Sequence, residues 1–308
     1  MKIYTAEQTF SALPFAKLIA QMRALFAAGV HCPDRHHHSI PLSGEADGSL
    51  LLMPGWHDNV GCVKLVNVTP GNSKRNLPAV AASLLIFDRH TGQHLAILDG
   101  EAVTARRTAA ASALAADYLA PKDAKHLLVI GAGKIAEQLP AAFSAVRPIQ
   151  HVSVWNRSMA GAQRLVAQLQ TQGFAASAVT DLDRILPKAD IVSAATLASD
   201  PLIHGRYLSS PQHIDLIGSF TPTMREADDE TIRRAAGAIV IDTPFTARES
   251  GEIAIPLAQG VIQSADIAGD LSALCSGKLS LQADITLFKG AGNAVMDLAA
   301  AMTAMQPA

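Results

Sequence analysis

The sequence predicts an α/β protein: a parallel sheet covered by helices on both faces, preceded by a mainly antiparallel β region. From His126 onward, short apolar runs alternate with helical patterns, as strands buried on both faces require. Between about residues 36 and 98 the short β-like runs are instead separated by Gly, Pro and Asn clusters. With 308 residues, 49% of them hydrophobic and 17% charged, the chain can bury a sizeable core and fill two domains.

Each element has its own signal. Leu13, Leu18, Met22, Leu25 and Phe26 recur at helical spacing, so one amphipathic helix is expected over residues 11–28. Leu50–Met53, Val60–Val68 and Ala79–Phe87 read as strands, and Arg89-His90-Thr91-Gly92 as a hairpin turn between Ser83–Asp88 and Gln93–Leu98. Residues 101–119 are Ala-rich with few breakers, a helix that Pro121 ends. Leu127–Ile130, His151–Trp155, Ala175–Val179, Ile191–Ala195, Ile214–Ile217 and Ala238–Ile241 follow as apolar strands. Asp228-Asp229-Glu230 reads as a helix start, where acids suit the dipole. Asn293–Met305 is a second Ala-rich helix, apolar over much of its surface, expected to pack on the first domain or on a partner subunit.

Composition also excludes classes of function. A formal net charge of -2 offers no field for nucleic acid or an anionic membrane. Cys32, Cys62 and Cys275 are scattered and odd in number, so a disulfide framework is not expected and a reducing, cytoplasmic setting is. Lys2, Glu7 and Gln8 interrupt the first ten residues, unlike a signal peptide. No charge-free apolar stretch of about 20 residues is present, so no membrane span is expected. His36-His37-His38, with His31 and Cys32 nearby, invite a metal reading. Successive histidines on a strand point to alternate faces, so no metal is expected there.

The strand Leu127–Ile130 runs into Gly131-Ala132-Gly133-Lys134-Ile135-Ala136 and then a helical stretch. This is the G-x-G-x-x-G/A pattern in its strand-to-helix setting, a Rossmann-type dinucleotide site. Gly131 permits the tight turn, Gly133 the close approach of backbone to pyrophosphate, and Ala136 the close packing of helix on sheet. Free N–H groups at the helix start, Lys134 and Ile135 included, would face the phosphates. Pro140 is expected to kink that helix. The second strand ends in Asn156-Arg157-Ser158, without the acid that usually binds an NAD ribose. Arg157 suits a 2′-phosphate, with Asn156 and Ser158 as hydrogen-bond partners, which favours NADPH and leaves NADH as the alternative.

The stretch Leu98–Ala110, with its Arg107-Thr108-Ala109-Ala110 block, resembles a hallmark of the ornithine cyclodeaminase/mu-crystallin family. Met53-Pro54-Gly55, Gly61–Asn72 with Lys64, Thr91-Gly92, the Gly131 loop, Gly218-Ser219 and Phe288–Gly292 agree in order. The resemblance covers nearly the whole chain. It implies that residues 1–120 plus 293–308 form a substrate and dimerisation domain into which a Rossmann domain, 121–292, is inserted. It also implies a homodimer whose sheets meet across the interface, and an active site in the cleft between domains. Lys64 and Arg107 resemble residues that hold a substrate α-carboxylate, and Arg35 a third cationic contact. Thr108 resembles a contact to the cofactor diphosphate.

The family contains cyclodeaminases, imine and amino acid reductases, and binding proteins. Cyclodeaminases place a catalytic aspartate where this sequence has Phe220, which cannot accept a proton. The expected activity is therefore ketimine reduction, with Phe220 against the ring of a small cyclic imino acid. Δ1-pyrroline-2-carboxylate would give L-proline and Δ1-piperideine-2-carboxylate L-pipecolate. Lys64 or an ordered water is the candidate proton donor. An ornithine cyclodeaminase, an alanine-type dehydrogenase and a mu-crystallin-like protein binding NADPH and a small ligand are the alternatives. Asp297, near the Gly290–Gly292 turn, has an open role.

Overall fold

The structure, a computed structural model, describes residues 1–30 and 32–306, the side chain of Ser73 excepted. The chain opens with β1 (Lys2–Ile3), α1 (Ala6–Ala12) and α2 (Phe15–Ala27). Five strands follow: β2 (His36–Ile40), β3 (Gly48–His57), β4 (Val60–Val68), β5 (Val80–Asp88) and β6 (His94–Asp99). Helix α3 (Gly100–Leu119) leads to β7 (His126–Ile130), α4 (Leu139–Ser144), β8 (His151–Trp155), α5 (Met159–Thr171) and β9 (Ala176–Ala178). Then come α6 (Leu182–Ile185), β10 (Ile191–Ala194), β11 (Gln212–Leu216), α7 (Asp229–Arg234) and β12 (Ile239–Ile241). Short helices α8 (Thr246–Glu249) and α9 (Gly251–Ala258), β13 (Ile267–Asp270), α10 (Leu271–Cys275), β14 (Ile285–Lys289) and α11 (Ala294–Ala304) complete it.

Contacts divide the chain into two units. The first joins Met1–Leu25, Gly29–Arg107 and the residues from Asn293 on; the second joins Thr108–Gly292 with Phe26–Ala28. The first unit holds a six-stranded sheet in the order β1-β6-β5-β4-β3-β2. All its pairs are antiparallel except β1 with β6. Alternation along the strands decides what each face meets. Met53, Cys62, Lys64, Leu84 and Ile86 are buried, and α11 packs on β3 and β4. Trp56 and Leu65, at the opposite parity, are 42% and 39% exposed.

The second unit is an eight-stranded sheet, every recorded pair parallel, in the order β13-β12-β14-β11-β10-β7-β8-β9. Leu128, Ile130, Val192, Ile214 and Leu287 form one core with Leu186, Ile232 and Ile253. Leu127, Val129 and Ile191, at the alternate positions, are equally buried. Both faces are covered, as the apolar strands require. From β7 the chain proceeds to β8 and β9 on one side and to β10 and β11 on the other. That reversal creates the crevice where doubly wound sheets bind ligands.

Several expectations need correction. The single helix over 11–28 is two, because Pro14 removes a helix N–H and restricts Leu13, which ends α1 at φ -120°. Pro140 does not kink a helix; it sits in the first turn of α4, where no N–H is needed. The glycine loop opens into a turn and a 3₁₀ segment, Ala136–Gln138, before that helix begins. Strands β13 and β14 were not expected, although β14 lies between β11 and β12. His36, His37 and His38 lie exposed on the edge strand β2, and His31 is outside the described residues. Among the described residues no three metal-ligating side chains converge, and no helix is long and apolar enough to cross a membrane.

Candidate functional site

In the first unit three chain segments bring charge into the core. Strand β4 points Lys64 to the face that α11 covers, and pairing to Met53 and Leu84 fixes its register. Helix α3, started by the Asp99 carboxylate accepting the Ala102 N–H at 2.8 Å, carries Arg106 and Arg107. Neighbours on a helix point about 100° apart, so the two arginines diverge. Arg106 stacks over Phe15, its guanidinium carbon 4.2 Å from the ring centroid. Arg107 is buried and turns to α11.

There the Lys64 Nζ donates to Asp297 Oδ1 at 2.8 Å, and both side chains are almost fully buried. The Arg107 Nε lies 3.3 Å from the same oxygen, within ion-pair range but not aligned to donate a hydrogen bond. Its Nη1 is 3.5 Å from the Met296 sulfur. Burial and the charge of Arg107 pull the Lys64 ammonium down to about 8, with Asp297 opposing and Arg35 adding to the depression. Arg35 is thus close enough to act on Lys64, although its residue is exposed. Burial, then Asp297, pushes the Cys32 thiol up to about 11, and Cys62 rises for the same reasons. Shifts in this direction favour the neutral thiol, the poorer nucleophile.

Of the expected Lys64, Arg107 and Arg35, the structure gathers Lys64 and Arg107 on Asp297, while Arg35 is exposed and near enough for its charge to act on Lys64. Asp297 is the residue whose role the sequence left open. One signal was available: Asp297 is the lone charge in a helix that is apolar but for Thr303, and such a charge is rarely buried unpaired.

In the second unit the glycine loop follows β7. Gly131 has φ 114°, and a Cβ there would lie 2.7 Å from the Ala195 carbonyl. An L side chain would be strained twice over. A Cβ on Gly133 would meet nothing within 4 Å, so its backbone face is open to a ligand, whereas Ala136 is fully buried. Lys134 is exposed and Ile135 half-buried on the turn between them. Thr108 is half-buried one residue after Arg107 on α3. This cradle fits a dinucleotide diphosphate, which a Cβ at Gly133 would crowd.

Past β8, Arg157 is exposed. Its neighbours have local partners: Asn156 Nδ2 donates to the Ser158 carbonyl at 3.0 Å, and Ser158 Oγ caps α5 through the Gly161 N–H. Arg157 is therefore the stronger of the three candidates for a 2′-phosphate. Arg164, not foreseen, donates to the Ala132 carbonyl at 3.0 Å and braces the glycine loop from α5.

A buried acid network holds the loops beyond β10 and β11. Glu226 Oε1 accepts from the Thr196 N–H and hydroxyl at 2.7 and 2.8 Å, and Oε2 from the Gly218 and Ser219 N–H groups at 2.8 and 3.3 Å. Glu252 accepts from Ser219 Oγ and from the N–H groups of Glu226 and Ala227. Gly218 is required here because a Cβ would lie 1.9 Å from the Thr196 carbonyl, a backbone atom that cannot give way. Phe220, the next residue after this anchored pair, is 50% exposed. No sequence motif marks Glu226 or Glu252, whose partners are mostly backbone atoms.

The comparisons agree with this architecture. The family model for the ornithine cyclodeaminase/mu-crystallin family matches residues 8–306. The chain is 35% identical to the Δ1-pyrroline-2-carboxylate reductase of Colwellia psychrerythraea, covering 99% of each protein. It is 38% identical to the enzyme of the same name from Paracoccus denitrificans, over 86% of this chain and 87% of that one. Among solved structures it is similar to the Thermococcus litoralis Δ1-pyrroline-2-carboxylate reductase in complex with NADH and L-proline. That likeness has a TM-score of 0.85 at 29% identity, over 99% of this chain and 96% of that one. The chain belongs to the ornithine cyclodeaminase/mu-crystallin family.

Proposed function

We propose that this member of the ornithine cyclodeaminase/mu-crystallin family reduces small cyclic imines bearing a carboxylate beside the C=N bond. Δ1-pyrroline-2-carboxylate would give L-proline and Δ1-piperideine-2-carboxylate L-pipecolate, with NADPH or NADH as reductant. The observation that carries the reading is the buried cluster of Lys64 and Arg107 on Asp297, with Arg35 close by. Several cations converging in a dry setting fix the position and orientation of a small carboxylate. The likeness to Δ1-pyrroline-2-carboxylate reductases supports the same substrate class.

When bound, the dinucleotide supplies a hydride to the imine carbon. The chain's residues do the rest. Arg107 and Arg35 hold the substrate carboxylate. Lys64, an ammonium that releases its proton near pH 8, donates to the imine nitrogen, so carbon gains a hydride and nitrogen a proton. Thr108, Gly131, Gly133, Lys134, Ile135 and Ala136 cradle the diphosphate, and Arg157, aided by Asn156 and Ser158, takes the 2′-phosphate. Phe220 has no proton to accept or give, which speaks against ornithine cyclodeamination.

Steady-state kinetics with both imines and both cofactors test this. Turnover of at least one imine with NADPH is expected; none on either, with turnover of pyruvate plus ammonia, would replace the reading by an amino acid dehydrogenase. In the same assay Arg157→Ser should lower kcat/KM for NADPH by about 10- to 100-fold, the worth of a hydrogen bond to a charged group. NADH should be affected far less. Equal losses for both cofactors would remove Arg157 from the 2′-phosphate site.

A homodimer is part of the proposal. Trp56 and Leu65 stand half-exposed on one face of the six-stranded sheet, with Leu52 and Val63 at the same parity. Apolar surface of this kind marks an interface. Sedimentation equilibrium should return twice the chain mass, and a monomer at micromolar concentration would be the contrary result. The three free cysteines fit a reducing, cytoplasmic setting.

A further inference from the structure

We infer that Asp297 is the positioning residue of the proton step, its carboxylate holding the Lys64 ammonium charged and aimed within the cation cluster until the substrate nitrogen takes the proton. The inference rests on the imine-reduction reading and adds a residue to it.

The placement is specific. Asp297 lies in the first turn of α11, where the helix dipole favours an acid. It is fully buried, and one oxygen, Oδ1, serves both Lys64 at 2.8 Å and Arg107 at 3.3 Å. The other, Oδ2, is buried and accepts no hydrogen bond. A buried oxygen left in this condition costs about 1–3 kcal/mol or more, so a residue selected for packing alone would not be a carboxylate. Lys64 feels Arg107 from α3, Arg35 from the segment before β2, Asp297 from α11 and the Cys62 thiol on its own strand, while the Cys32 thiol lies near Cys62 and Asp297. Burial and the two arginines drive its proton off, and Asp297 draws it back. Without that carboxylate Lys64 would lose its proton at lower pH, and with it the charge that attracts the substrate carboxylate and the proton it donates.

In the reaction an Nζ–H bond of Lys64 breaks, an N–H bond forms on the substrate nitrogen, and the hydride completes the C–H bond at carbon. The neutral amine keeps its hydrogen bond to Asp297, so a proton from water restores the ammonium in the same orientation.

The test compares wild type, Asp297→Asn and Asp297→Glu by two readouts. One is the pH profile of kcat/KM with a cyclic imine. The other is calorimetric binding of pyrrole-2-carboxylate, a planar aromatic anion that is not reduced, across the same pH range. The alkaline midpoint, about 8 in wild type, should move down by about one to three pH units in Asp297→Asn in both readouts, because an opposite charge has been removed. Asp297→Glu keeps the charge and should keep the midpoint while kcat falls. An unmoved midpoint in Asp297→Asn, with activity reduced equally at every pH, would overturn the inference. If the asparagine variant does not fold, Asp297→Glu decides: a retained midpoint supports the inference and a displaced one overturns it. If wild type turns over no imine, the reaction reading fails, yet the binding midpoints still report on the Asp297–Lys64 pair.

Discussion

Replacing Lys64 by methionine is expected to lower kcat/KM for imine reduction by about a hundredfold to ten-thousandfold, the usual worth of a placed general acid. Methionine matches the buried stem of lysine but brings neither charge nor proton. The fold should survive. Lys64 sits on a central strand paired on both sides, and the side chains around it are apolar except for the cluster itself. Asp297 would keep Arg107 as a partner, so the stability loss should fall toward the lower end of the roughly 3–5 kcal/mol seen when a buried pair is broken. The pH behaviour separates this from a packing defect. In wild type, activity needs the protonated ammonium and should fall as pH rises through about 8. Stability should move the other way. Lys64 titrates near 8 when folded and 10.5 when unfolded, so between these values the unfolded chain binds more protons and this group's penalty is relieved as pH rises. Lys64→Met should lack both the activity limb and the stability rise. A variant with kcat/KM within about threefold of wild type, well short of a general acid's contribution, would remove Lys64 from the chemistry.

The two candidate sites, one in each unit, differ in how far the sequence exposes them. The dinucleotide crevice is local. Gly131, Gly133 and Ala136 fall within six residues, directly after the unbroken apolar strand Leu127–Ile130, so motif and setting can be read together. The cation cluster is not. Lys64 and Asp297 are 233 positions apart, and their meeting depends on α11 packing on β4. Lys64 and Arg107 stand out in the sequence through the family resemblance and carry no pattern of their own. The same contrast runs through the fold. Strand β7 announces itself, whereas β14, Ile-Thr-Leu-Phe-Lys, is interrupted by a threonine and closed by a lysine although all five are buried. Its Thr286 and Lys289 are accommodated largely by distant backbone: Thr286 Oγ1 donates to the Leu119 carbonyl, and Lys289 Nζ to the Leu216 carbonyl as well as to that of its neighbour Gly290. Such partners are invisible until the chain is folded. Pro14 and Pro140 show a subtler limit: each was visible, but whether a proline divides a helix or begins one depends on which neighbouring residues take up the turn.

The second large effect is expected at Glu226. Glu226→Gln should destabilise the protein by about 2–4 kcal/mol, because an amide N–H₂ must then face backbone N–H groups that now have a carboxylate oxygen, and each buried donor left unsatisfied costs about 1–3 kcal/mol. Which side suffers depends on the amide's orientation: Thr196 in one, Gly218 and Ser219 in the other. Either way a loop at the carboxyl end of β10 or β11 is released, and those ends border the crevice where doubly wound sheets take their ligands. NADPH affinity should therefore fall by about tenfold or more, consistent with the sensitivity of bound geometry to small displacements. Fluorescence titration would read the affinity and urea unfolding the stability. Burial pushes the Glu226 carboxyl up to about 7 against its ordinary 4.5, with the Lys289 charge and the Thr196 donors pulling it back. Over that window the folded chain retains a proton the unfolded chain has released, so the contribution of Glu226 to stability declines as pH rises from about 4.5 to 7. Glutamine does not titrate. The stability gap between wild type and Glu226→Gln should accordingly be wider at pH 5 than at pH 7.5, and a gap that widens with pH instead would mean that the donors, not burial, govern this carboxylate.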